Sequence, residues 1–86
     1  MTFDEIINTP AALSYMEMTR TGLTYNPWDN SIHAQTADGL EYMVKGSEVA
    51  VLDAIQVSVG SGQDLLKQLF VPLDEPTDDE GNPGIL

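Results

Sequence analysis

The chain has no cysteine, which excludes disulfides, thiolate metal sites and cysteine nucleophiles together. Small exported domains are ordinarily stapled, so the cytoplasm is the expected location. Positive charge is almost as scarce. Arg20, Lys45 and Lys67 are the only cations beside the single His33, against fourteen Asp and Glu, a formal net charge of -11 on 86 residues. Such a surface repels nucleic acid and anionic membranes and attracts basic protein surfaces at long range, so direct nucleic-acid binding is not expected. Long apolar runs are missing as well. None approaches the ~20 residues that span a bilayer, and the opening Met1 to Glu5 has neither the basic nor the apolar region of a secretion signal. No internal repeat is present.

What the chain does have is apolar content, 42 % of its residues, too much for a wholly disordered acidic sequence. A chain of this length buries only about 60 to 65 % of its unfolded surface, enough for one modest core and no deep cleft. A single compact acidic domain over residues 1–72 is expected, with a flexible acidic tail over 73–86. The tail holds two prolines, two glycines and five acids without periodicity. The body without it keeps nine acids against three cations. Carboxylate repulsion opposes compaction, so salt, acid, a partner or a homodimer should assist folding.

Thr2 and Glu5 have capping-box spacing, and Pro10 after Thr9 is placed as the first residue of a helix that Thr9 caps. Residues 3–8 and 10–20 read as two helical pieces, with Gly22 as the stop signal. A short strand over 23–25 leads to a turn at Pro27. Residues 31–45 carry the clearest pattern, two alternating segments joined through Asp38 and Gly39. A two-residue turn would split the apolar set between faces. A three-residue loop of Ala37, Asp38 and Gly39 pairs Thr36 with Leu40, Ala34 with Tyr42 and Ile32 with Val44, and puts Gly39 in the left-handed position.

The segment after Ser47 is ambiguous. Val49, Val51, Ile55, Val57 and Val59 alternate like a strand, whereas Ser47 is a good helix cap. The preferred reading is a helix over 48–56 that frays into an extended stretch. Leu65, Leu66, Leu69 and Phe70 make an apolar stripe for a last helix over 63–70, closed by Pro72, with Lys67 paired to Asp64. The fold class is α+β: a small antiparallel sheet built on the 31–45 hairpin, with N-terminal and C-terminal helices packed on one face.

Catalytic and metal chemistry find no foothold. His33 has no nucleophile or further ligand converging on it. The acids Asp74 to Glu80 fail the calcium-loop pattern, because Pro76 or Pro83 falls at a required position. No cofactor, metal or enzymatic activity is expected. Trp28, the only tryptophan, reads either as a lid over the edge of the core or as an exposed contact residue.

The charge therefore directs the functional expectation toward a basic protein or nucleoprotein complex. In size, acidity and absence of cysteine the chain is similar to phage-encoded inhibitors of host defence, such as anti-CRISPR proteins and uracil-DNA glycosylase inhibitors. The similarity is one of character, without a shared motif. It implies a viral protein in host cytoplasm, a non-catalytic inhibitor that presents carboxylates where its target expects phosphates, in the manner of a DNA mimic. Asp29, Asp38, Glu41 and Glu48, at turns and strand ends around one hairpin, are the expected contacts, with Glu17, Asp53 and Trp28 beside them. A phage assembly subunit and an immunity-type partner of a basic toxin are the alternatives.

Overall fold

The computed structural model describes residues 1–73. The expected acidic tail therefore lies outside the described residues, apart from Leu73.

Local capping starts each of the three α-helices where the sequence places it. The Glu5 amide donates to Thr2 Oγ1 at 3.2 Å and the Thr2 amide to Glu5 Oε1 at 2.8 Å, closing the capping box of α1 (Phe3–Ile6). Thr9 Oγ1 accepts from the Ala12 amide at 3.2 Å and opens α2 (Pro10–Thr19). The stop differs from expectation. Arg20, with φ 59°, takes the left-handed cap, and Gly22 instead begins the first strand. The Thr19 hydroxyl donates to the Tyr15 carbonyl at 2.8 Å, satisfying one of the last free carbonyls of α2.

The sheet is an antiparallel meander in the order β1 (Gly22–Asn26), β2 (Ser31–Gln35), β3 (Glu41–Val44), β4 (Phe70–Pro72). The β2–β3 register is the expected one, Ala34 opposite Tyr42 and Ile32 opposite Val44. Its loop closes with Thr36 N to Leu40 O at 2.9 Å and Gly39 N to Thr36 O at 3.0 Å, Gly39 standing at φ 91°. This register collects Leu23, Ile32, Ala34 and Val44 on one face. They form a single core cluster with Ile6, Ala12, Tyr15, Val51, Ile55 and Leu66 from the helical layer. The architecture is α+β, and no helix among the described residues is long and apolar enough to cross a membrane.

Two elements correct the sequence reading. The α3 helix (Glu48–Ser61), capped by Ser47 Oγ on the Ala50 amide at 3.2 Å, neither frays at 56 nor becomes a strand. Val51, Ile55 and Ser58 recur at helical spacing and are all buried, and burial of that stripe outweighs the strand preference of the valines. The Ser58 hydroxyl donates to Ala54 O at 2.7 Å and accepts the Leu65 amide at 2.8 Å, tying the next segment back onto α3. The helix ends at Gly62, φ 74°.

The expected helix over 63–70 contracts to a 3-10 turn, Leu66–Leu69, followed by β4. Phe70 pairs with Val44, and its ring stacks on Tyr42 with centroids 5.3 Å apart, which requires extended backbone where a helix would continue. Nor does Asp64 pair with Lys67. Its Oδ1 accepts the Lys67 backbone amide at 3.2 Å and the Tyr15 hydroxyl at 2.6 Å. Among the described residues the one carboxylate within 4 Å of a basic side chain is Asp29, beside His33.

Tyr15 is fully buried. Burial first, then its bond to the Asp64 carboxylate, raises its phenol far above the usual tyrosine range. The folded state thus favours the protonated phenol, a contribution complete below the ordinary tyrosine value and lost as pH rises beyond it. Tyr15→Phe is expected to lower unfolding free energy by about 1.5 to 3 kcal/mol in urea titration, the range for hydrogen bonds to charged groups. The variant should also lose less stability than the parent above about pH 10.

Candidate protein-binding surface

The four-residue loop Pro27 to Asn30 joins β1 to β2, and its side chains fix it in place. Asn26 Oδ1 accepts the Trp28 amide at 2.9 Å, Tyr25 OH donates to Asn30 Oδ1 at 2.8 Å, and Ser31 Oγ donates to Asp29 Oδ1 at 2.5 Å. Asn30 adopts φ 52°, a conformation asparagine tolerates better than most residues. The other carboxylate oxygen of Asp29 lies 3.5 Å from His33 Nε2. The Ser31 hydroxyl, and then His33, hold the Asp29 carboxyl below the usual range. His33 is therefore no freely solvated surface residue. Its side chain is only 15 % exposed, and Nε2 is buried and makes no well-formed hydrogen bond.

At the tip of this loop Trp28 is 92 % exposed. The reading of Trp28 as a core lid is overturned, because the loop projects past the last strand pair, Asn26 with Ser31, and has no core beneath it. β3 leaves the sheet at the same end, since Val44 stands opposite Ile32, and α3 begins four residues later. Asp29, Glu48 and Val49 therefore share that end with Trp28. Val49, 79 % exposed, was hidden in the sequence among valines that alternate.

The other expected contacts are not brought there. Asp38 and Glu41 lie at the opposite end of β2, roughly 16 Å away at the rise of a five-residue strand. The Asp38 carboxylate accepts the Thr36 hydroxyl, which lowers its pKa, with a smaller contribution from Lys67. Glu41 accepts from Gln35 Nε2 at 3.3 Å across the open sheet face. Glu17 and Asp53 are exposed on α2 and α3. A hollow of about 220 Å³ between Asp38, Asp64, Lys67 and the Tyr42–Phe70 pair sets no nucleophile beside a base. No three His, Cys, Asp or Glu among the described residues gather as a metal site.

No known protein family, curated protein or solved structure matches the chain.

A fully solvated lone indole has a direct optical consequence. Trp28 emission should peak at the same wavelength in native buffer and in concentrated urea, and acrylamide should quench both alike. A native spectrum shifted to the blue would show the indole packed and would remove it from the surface.

Proposed function

We propose that this protein is a non-catalytic inhibitor that docks its Trp28 end onto the basic, nucleic-acid-binding surface of a target protein or nucleoprotein complex. The observation that carries the reading is Trp28 itself, almost wholly exposed on a loop pinned by three side-chain hydrogen bonds. Exposing an indole forfeits burial worth about 1.5 to 3 kcal/mol for a large apolar side chain. Tryptophan is also among the side chains most enriched in interface hot spots, where a pre-ordered loop avoids the entropic cost of fixing it on binding.

Charge supplies the second support. Among the described residues none of the nine carboxylates has a lysine or arginine partner, so the acidic field is left for an external cation. Asp29 follows Trp28 in the loop and Glu48 precedes Val49 at the start of α3, so each exposed apolar side chain has a carboxylate beside it in the chain. The acids at the opposite end contribute long-range attraction and no direct contact.

Tagged full-length protein, incubated with nuclease-treated bacterial lysate, is expected to retain a basic nucleic-acid-binding protein that duplex DNA displaces and moderate salt releases. Trp28→Ala should weaken that complex by about 2 kcal/mol, roughly thirtyfold. Reversing Asp38 and Glu41 to Lys should slow association and flatten its salt dependence, leaving dissociation nearly unchanged. Capture indifferent to both Trp28→Ala and competing DNA would overturn the reading.

A further inference from the structure

The sheet has two edges, and they are protected unequally. β4 is three residues long and ends on Pro72, which has no amide to offer. Short length and proline are ordinary devices against unwanted strand pairing. β1 has neither. Its five residues, Gly22 to Asn26, carry no charge and no proline, and they pair with β2 without a bulge.

The direction of its free groups follows from one bond. The Leu23 amide donates to Met16 Sδ at 3.3 Å and so points away from β2. In an antiparallel ladder this alternation turns the amides and carbonyls of Leu23 and Tyr25 outward, and those of Gly22, Thr24 and Asn26 inward. Met16 covers one outward donor with a thioether, a weak acceptor on a flexible stem. The Leu23 carbonyl and both Tyr25 groups meet no protein partner among the described residues.

We propose that β1 takes up an extended lysine- or arginine-bearing segment of the partner as a fifth strand, with its cationic residues beside Asp29. The inference rests on the reading of this protein as a binder of a basic target. Strand addition draws affinity from main-chain hydrogen bonds and leaves selectivity to the flanking side chains. Here those flanks differ in sign. Arg20 stands in the turn before β1, whereas Asn26 leads directly into Trp28 and Asp29. A segment running along β1 emerges at the indole and carboxylate, which joins the edge and the loop into one surface. A second copy fits poorly, because it would bring two chains of net charge -11 together along the edge.

The test is amide exchange and chemical-shift mapping on ¹⁵N-labelled full-length protein, titrated with a six-residue peptide of alternating valine and lysine with blocked termini. Tyr25 amide exchange is expected to slow about tenfold or more at saturation, as for an amide newly held in a ladder. The same peptide N-methylated at every residue keeps its charge, loses its donors on both edges and should give no such protection. Equal shifts from both peptides, or unchanged Tyr25 exchange, would refute strand addition. Concentration-dependent Tyr25 protection without peptide would give the edge to a second copy and equally refute it. Loss of lysate capture in Trp28→Ala, with Tyr25 unprotected by peptide, would leave the inhibitor reading standing and remove the edge alone.

Discussion

The register of the β2–β3 hairpin is the constraint on which the other elements depend. Side chains alternate along a strand, so a slip of one residue would send Ile32 and Ala34 to the open face and bring His33 and Gln35 inward. The three-residue loop forbids the slip by placing Gly39 at φ 91° and returning the Thr36 amide to the Leu40 carbonyl. With that pairing fixed, Val44 stands where Phe70 can add as a fourth strand, and Leu23 stands where α2 can cover it. The same register decides which end of the sheet holds Trp28 and which holds Asp38. Function, on the present reading, inherits its geometry from a turn.

Around this hairpin the core is small, ten buried apolar side chains in one cluster, and it holds against a field of mostly unpaired carboxylates. Long-range polar stitches assist it. Tyr15 OH to Asp64 joins α2 to the segment after α3, and Ser58 ties that segment to α3 a second time. Each is a buried or half-buried bond whose loss would strand a polar group, so each is worth more than a surface pair. Among the described residues none of Arg20, Lys45 and Lys67 lies in a salt bridge, and even full pairing would leave six of the nine acids alone, so their repulsion is the standing cost of an acidic surface.

Elements whose determinants are local were legible in the sequence. Thr2 with Glu5, Thr9 with Pro10, Ser47, and the Ala37 to Gly39 loop each act within four residues, and each does what its spacing announces. What escaped depends on distant partners. Leu65, Leu66, Leu69 and Phe70 suit a helix by spacing, but Phe70 answers to Val44, far back in the chain. The valines after 48 favour a strand individually and are overruled by the layer that buries Val51 and Ile55. The expected acidic cluster failed for a topological reason: successive loops of a meander lie at opposite ends, so Asp29 and Asp38 cannot form one patch. Trp28 could not be assigned from its type alone, since large aromatics serve cores and interfaces alike. The asparagines on either side of it, which pin the loop, were the overlooked signal.

On the proposed reading as a binder of a basic target, charge and anchor would divide the work of recognition in a way their positions permit. A field spread over the whole surface acts before contact, so it raises the rate of encounter and weakens with salt. It cannot select one orientation, because carboxylates at both ends of β2 attract a basic groove equally. Trp28 can, since an indole contributes only when its surroundings exclude water, and just one end of the molecule presents it. Differences in affinity among targets should therefore reside in dissociation, governed by the fit around Trp28, while association stays broadly similar for any basic surface. An acidic protein without such an anchor would bind many partners briefly. On the proposed reading, the exposure of one tryptophan on a pinned loop is what would let this small fold hold one of them.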